Sequence, residues 1–163
     1  MRAPCKVLIM IAASSALSCD SGADSTQPAV IEDISGTYAG PISALYQLFF
    51  VLEAELSLTL RQEHQSLAGT WSLEGAIYGP VLYEVTVQSG GSIQGSVGVG
   101  ENPSVTLQLA PDTCPGFGGS LSGDHDRRTL TLAGNLSDLD EMCAVSAEGY
   151  LTSALLTRTP GAT

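Results

Sequence analysis

The stretch "LEAELSLTLR", Leu52 to Arg61, decides the fold class of this chain. Apolar and polar residues alternate along it, and one face collects Leu52, Ala54, Leu56, Leu58 and Leu60. Successive side chains of a strand point to opposite faces, so this alternation puts every apolar residue on one side. Such a pattern is typical of an antiparallel strand that covers a core and faces water on the other side.

The same alternation returns further along the chain, in "YEVTVQ" (Tyr83, Val85, Val87), "SVTLQLA" (Val105, Leu107, Leu109) and "TLTLAGNL" (Leu130, Leu132). Clusters typical of turns separate the strands: "EHQS", "QSGGS", "GENPS", "SGDHDRR" and "SDLDE". The segment 41–51 also fits helical spacing, through Leu45, Leu48, Phe49 and Leu52. Hairpin patterns on both sides favour a strand there.

A short motif recurs five times: an apolar residue, any residue, glycine, a small polar residue and a second apolar residue. Its copies are "ISGTY" (34–38), "LAGTW" (67–71), "IQGSV" (93–97), "FGGSL" (117–121) and "LAGNL" (132–136). The two apolar residues are four positions apart, so they share a strand face with the glycine between them. Glycine weakens a strand unless sharp bending or close backbone approach requires it. The chain is therefore predicted to be all-β, a single antiparallel up-and-down meander that closes into a barrel of about eight strands.

"ISGTY" and "LAGTW" resemble the Gly-x-Trp start of lipocalin- and avidin-like barrels, with tyrosine in place of tryptophan in the first copy. The resemblance covers a few residues and implies the same kind of fold. A shared fold does not assign a function.

The N-terminus has a different character. Arg2 and Lys6 precede "VLIMIAASSALS", twelve uncharged residues from 7 to 18. A mature membrane-spanning helix needs about 20 apolar residues. A basic head followed by a shorter apolar run indicates a secretory signal peptide.

The end of this run, Ser15-Ala16-Leu17-Ser18-Cys19, resembles the lipobox of bacterial lipoproteins, with leucine one position closer to the cysteine than in the commonest form. The resemblance implies that Cys19 carries a diacylglyceryl group, becomes the new N-terminus and is N-acylated. Ordinary cleavage after residue 18, with a free Cys19, is the alternative. Two or more acyl chains anchor a protein stably, so the expected location is the bacterial cell envelope, facing the periplasm or the outer surface. Asp20 resembles an inner-membrane retention signal of enteric bacteria, which leaves the choice of membrane open.

Residues 19–33 contain small and acidic residues and no aromatic one, which predicts a flexible tether. The expected organisation is a signal peptide at 1–18, the lipidated N-terminus and tether at 19–33, a barrel domain at 34–159 and a tail at 160–163.

Charge and cysteine content restrict the partners. Four basic residues against seventeen acidic ones give residues 19–163 a formal charge of −13. Such a charge is expected to repel phosphate backbones and anionic headgroups, and it excludes nucleic acid as a partner. Cys5 leaves with the signal peptide and Cys19 takes the lipid, so a disulfide is predicted between Cys114 and Cys143. Two cysteines without a nearby histidine make a poor zinc site.

The sequence shows no catalytic motif and implies no cofactor. His64 and His125 are both expected in solvated turns. Two acidic clusters, one at Asp124, His125 and Asp126 and the other at Asp138, Asp140 and Glu141, are weak candidates for calcium because neither follows an EF-hand loop. The pair Glu53 and Glu55 has a spacing found between glycosidase carboxylates, but nothing else in the chain supports sugar hydrolysis.

Four aromatic residues are candidates to line a ligand pocket inside the barrel: Tyr38, Trp71, Tyr83 and Phe117. They could equally fill a solid core. The first hypothesis is a non-enzymatic, membrane-anchored envelope lipoprotein whose barrel binds a small apolar ligand or a protein partner. The second is an interaction module with a filled core that acts through its loops, and the third is a hydrolase with an unrecognised site. An internal cavity would favour the first, and a packed interior with an exposed apolar patch would favour the second.

Overall fold

The computed structural model describes residues 31–46 and 49–160. The predicted signal peptide, Cys19 and most of the tether lie outside these residues. Nine strands make up the described part: β1 (Gly36–Tyr46), β2 (Phe50–Glu63), β3 (Ser66–Gly79), β4 (Tyr83–Val97), β5 (Ser104–Pro111), β6 (Gly116–Asp126), β7 (Thr129–Leu139), β8 (Val145–Ala147) and β9 (Gly149–Arg158). Within the described ranges, no helix is long and apolar enough to cross a bilayer.

The strands form a closed antiparallel barrel with eight positions. Each strand from β1 to β7 pairs with the next one along the chain. β9 pairs with both β7 and β1 and so closes the ring. The short β8 pairs with the end of β7, just before β9 begins. The predicted eight-stranded meander is confirmed, and the segment from 41 to 46 lies in β1 rather than in a helix.

The five glycine motifs place their apolar residues as predicted. All ten are buried: Ile34, Tyr38, Leu67, Trp71, Ile93, Val97, Phe117, Leu121, Leu132 and Leu136. A β-carbon on Gly69 would lie 1.9 Å from the carbonyl oxygen of Thr59 on β2, and one on Gly119 would lie 2.2 Å from that of Asn135 on β7. These glycines therefore let neighbouring backbones approach closely where the sheet coils.

Two sequence predictions about β4 are wrong. "QSGGS", residues 88–92, lies in the middle of this fifteen-residue strand and does not form a turn. The preceding half of β4 reaches the core only at Val87, since Tyr83 is 50% exposed and Val85 is 40% exposed. These side chains are exposed because the two strands are long. β3 and β4 stay paired as far as Gly79 and Tyr83, so the end of their hairpin projects beyond the packed interior.

The two ends of the barrel differ in what they carry. We call one end the tether end. It holds the turns at 64–65 and 127–128, the last residues of β9, and Ile31, which forms a β-bridge with Gly100. We call the other the distal end: it holds Phe49 just before β2, the β3–β4 hairpin tip at 80–82, and the loops at 112–115 and 140–144. Because strands alternate in direction, the chain enters and leaves the barrel at the tether end.

Candidate functional site

The interior of the barrel is occupied by side chains. A single cluster of buried apolar residues draws on all eight barrel positions. Tyr38, Trp71 and Phe117 belong to this cluster, and the indole N–H of Trp71 donates to the carbonyl of Ala110 at 3.2 Å. Tyr83 is separated from these three, since it lies at the distal end and packs edge-on against Phe50 with ring centroids 5.5 Å apart. The four aromatic candidates therefore do not form a common pocket lining.

Most exposed large apolar side chains of the described residues lie at the distal end. They are Leu45, Phe49, Tyr78, Val81, Leu82, Tyr83, Val85, Met142, Val145 and Tyr150. Only Ile31 and Val99 at the tether end and Leu155 along β9 are found elsewhere in this part of the chain. A concentration of apolar surface at one end of a molecule is typical of a site that another molecule covers.

Part of this apolar surface is a continuous row on the outside of the sheet. Tyr150 on β9 is directly opposite Leu45 on β1, Leu45 is opposite Val51 on β2, and Val51 is opposite Tyr78 on β3. Directly opposed residues point to the same face, with neighbouring strands about 4.8 Å apart. The row therefore spans four strands on the outer face. We call it the outer apolar row.

The β3–β4 hairpin tip extends beyond this row. Val81 is 95% exposed and Leu82 is fully exposed. Both have left-handed backbone conformations, with φ of 61° and 60°. Left-handed conformations are unfavourable for branched side chains and are normally taken by glycine or asparagine in tight turns. Apolar side chains are thus held in water at a position where turn geometry favours other residue types.

The charges beside the outer apolar row are negative. A shallow groove on the same outer face runs next to Tyr78 and contains Glu53, Glu55 and Glu74. Glu55 and Glu74 are directly opposite each other on β2 and β3. Glu84, opposite Tyr78, adds another carboxylate. The four arginines of the described residues all lie towards the tether end, at 61, 127, 128 and 158.

The prediction that His125 lies in a solvated turn is wrong. It lies in β6 and is completely buried. The Tyr38 hydroxyl donates to the carbonyl of Ile34 at 2.9 Å, so it accepts the Nε2–H of His125 at 3.1 Å. Nδ1 of His125 has no hydrogen-bond partner and lies 3.7 Å from a carboxylate oxygen of Glu32. His64, in contrast, lies in the exposed β2–β3 turn, as expected.

Two of the acidic residues considered for calcium, Asp138 and Asp140, hydrogen-bond to nearby residues of the segment 142–146. The carboxylate of Asp140 accepts the backbone N–H groups of Met142 at 2.8 Å and Ala144 at 3.0 Å. That of Asp138 accepts the Ser146 hydroxyl at 2.9 Å. Within residues 31–46 and 49–160, no three His, Cys, Asp or Glu side chains are grouped as metal ligands would be.

The predicted disulfide is present. Cys114 and Cys143 are bonded, and they tie the loop between β5 and β6 to the loop between β7 and β8. Both loops lie at the distal end. The bond therefore fixes two loops that flank the exposed apolar side chains.

Comparisons of this chain with protein-family models, with curated proteins and with solved structures found no match. Sequence reasoning missed both the hairpin tip and the outer apolar row. Gly79-Pro80 is a turn signal that would have located the tip, and the apolar Val81-Leu82 after it would have marked the turn as unusual.

Proposed function

We propose that this protein is a lipid-anchored interaction module of the bacterial cell envelope that binds a protein partner through the distal end of its barrel. The observation that carries the proposal is the concentration of exposed apolar side chains at that end. No catalytic role is assigned to any residue.

The packed interior supports a protein partner over a small ligand inside the barrel. Tyr38, Trp71 and Phe117 occupy the space that a ligand would need, and each is almost fully buried among other core side chains. A barrel of eight strands is just wide enough for its own side chains or for one small ligand. This arrangement favours the hypothesis of a filled core with an exposed binding surface.

The position of the tether supports the same surface. The described chain begins at Ile31 at the tether end, and the twelve residues from 19 to 30 could span up to about 40 Å to the acyl group on Cys19. An anchor at this end lets the distal end point away from the bilayer. The apolar tip then faces other envelope proteins.

The charge pattern defines the chemistry of the partner. The outer apolar row lies beside Glu53, Glu55 and Glu74, and no arginine of the described residues is near it. A complementary surface would combine an apolar groove with a rim of lysine or arginine side chains. An anionic bilayer lacks that complement.

Site-specific photocrosslinking in living cells tests the proposed surface. A photoreactive residue at Leu82 is expected to trap a protein adduct, and the same probe at Glu101 at the tether end is not. Tyr78→Asp is expected to abolish the Leu82 adduct by placing a charge in the apolar row. The matched control Leu155→Asp changes an exposed leucine on β9, outside the distal end, and should leave the adduct unchanged. Crosslinks only to lipid, or equal adducts at both probe positions, would reject the proposal.

The anchor has its own test. Cys19→Ala is expected to yield a protein without acyl mass and without stable membrane attachment, since the cysteine thiol is the site of lipidation. Mass spectrometry of the exported protein measures this directly. Acyl groups found on the Cys19→Ala chain would contradict the assignment.

A further inference from the structure

The barrel has a second surface whose chemistry is opposite to that of the distal end. Arg127 and Arg128 form the turn between β6 and β7, and Arg158 is the last residue of β9. The backbone N–H of Arg158 donates to the carbonyl of Arg128 at 2.7 Å, which fixes the turn beside the strand end. Three of the four arginines in residues 19–163 are thus brought together by tertiary structure.

These three arginines line one recess, together with Thr159 and Pro160. We call it the arginine recess. The guanidinium of Arg158 donates to the carbonyl of Ser35, which holds it against the point where the chain enters the barrel. Arg127 and Arg128 are exposed at the rim.

The arginines have no carboxylate partner in the described part of the chain. No Asp or Glu oxygen in that part lies within 4.0 Å of an arginine nitrogen. Among the described residues, the only basic side chain that lies this close to a carboxylate is His125, beside Glu32. Hydrogen bonds to Ser35 are the main cause of the lowered pKa of the Asp33 carboxyl, and the charge of Arg158 lowers that pKa slightly further. Arg127 and Arg128 are exposed, so their N–H donors are free to bind an anionic ligand.

We propose that the arginine recess binds phosphate groups of anionic phospholipid headgroups on the membrane to which the tether leads. Arginine presents several N–H donors in a planar arrangement that matches phosphate oxygens. The recess lies at the same end as Ile31, from which the tether continues towards Cys19. Binding there would hold the barrel upright and keep the distal end directed away from the bilayer. The choice of a membrane as the source of phosphate rests on the acylated anchor in the proposed function.

The overall negative charge does not prevent this contact. The strands are 8 to 15 residues long in the barrel wall, apart from the short β8, so the distal carboxylates lie on the order of 30 Å from the recess. The Debye length is about 10 Å at 0.1 M salt. Distal charges are therefore screened at the recess. The tether end also carries carboxylates, including those of Asp33 and Asp126, but none of them lines the recess, where Arg127, Arg128 and Arg158 are the charged side chains.

Vesicle binding by an unacylated chain tests the recess without the anchor. The described core lies between Ile34 and Leu156, so residues 19–163 with Cys19→Ser contain the whole barrel. This chain is expected to bind vesicles of phosphatidylglycerol and phosphatidylcholine at low salt, and not vesicles of phosphatidylcholine alone. Arg127→Gln/Arg128→Gln should weaken binding by roughly fivefold for each arginine removed. Both residues are exposed, so thermal unfolding should confirm that the variant remains folded.

Arg61→Gln is the matched control. Arg61 also lies towards the tether end, but it lines a different recess together with Glu63. Its substitution should leave vesicle binding unchanged, and equal weakening by Arg61→Gln would overturn the proposal by showing a general charge effect. Failure of the parent chain to bind would also overturn it, as would binding of inorganic phosphate in the absence of vesicle binding. The photocrosslinking at Leu82 is independent of all these outcomes, so failure of either proposal can be recognised separately.

Discussion

Tyr38 connects the core to the segment that precedes β1 through hydrogen bonds of its hydroxyl group. Its hydroxyl donates to the carbonyl of Ile34 and accepts the Nε2–H of His125, and both Tyr38 and His125 are completely buried. An unpaired buried polar group costs about 1–3 kcal/mol, whereas loss of both partners of a hydrogen bond costs much less. The pair therefore acts as a unit.

We expect Tyr38→Phe to lower the free energy of unfolding by about 2 kcal/mol, because the Ile34 carbonyl and Nε2–H of His125 lose their partner. Adding His125→Leu to Tyr38→Phe should lower the free energy of unfolding little further, since it removes the unpaired Nε2–H. Urea unfolding of both single variants and the double variant measures this coupling. Strictly additive losses would show that the two side chains do not depend on each other.

At the scale of the element, the β3–β4 hairpin combines a stable ladder with an unfavourable tip. Residues 66–79 pair with residues 83–96 without interruption. The tip nevertheless keeps Val81 and Leu82 at positive φ and in water. Strained residues of this kind cost on the order of 1–3 kcal/mol each and concentrate at functional sites.

We therefore expect Val81→Asn/Leu82→Gly to raise the free energy of unfolding by about 1–2 kcal/mol, since both new residues accept positive φ. The same variant should weaken the crosslink to the partner, measured with the photoreactive residue at Phe49. Thermal unfolding and adduct yield are the two measurements. A lower free energy of unfolding for this variant would contradict the strain argument. An unchanged adduct yield would show that the tip is not part of the binding surface.

At the scale of the whole molecule, alkaline pH tests how tightly the barrel is packed. Burial raises the pKa of Tyr46, whose hydroxyl donates to the carbonyl of Leu136, and nearby Asp138 raises it further. Burial also raises the pKa of Tyr38. Residues 19–163 contain no lysine, and Cys114 and Cys143 are bonded, so tyrosines dominate the titration above pH 9.

The direction of the effect follows from the protons bound in each state. Above the ordinary tyrosine pKa of 10.0, the unfolded chain loses phenolic protons that the folded barrel retains. The stabilisation is complete below pH 10 and is lost as the pH rises towards the higher folded values. We expect the free energy of unfolding to fall above pH 10 by up to about 1.4 kcal/mol per pH unit for each buried tyrosine. Tyr46→Phe should reduce this slope, as urea midpoints at pH 8 and pH 11 would measure, and an unchanged slope would contradict the assignment to Tyr46.

The amino-acid sequence alone determined the all-β class, the closed meander and the Cys114–Cys143 bond. Alternation at Leu52–Leu60 and the five glycine motifs are local patterns, and each strand of a meander pairs with its neighbour in the chain. Local patterns therefore suffice to specify this topology.

Tertiary structure alone decided what the two ends carry. His125 is surrounded by acidic and basic residues in the sequence, yet its side chain points inward because β6 continues to Asp126. The outer apolar row draws Tyr150, Leu45 and Tyr78 from distant parts of the chain, and the arginine recess joins Arg158 to a turn thirty residues earlier. Which residues meet depends on strand length and on ring closure by β9, and neither is encoded in a short stretch of sequence.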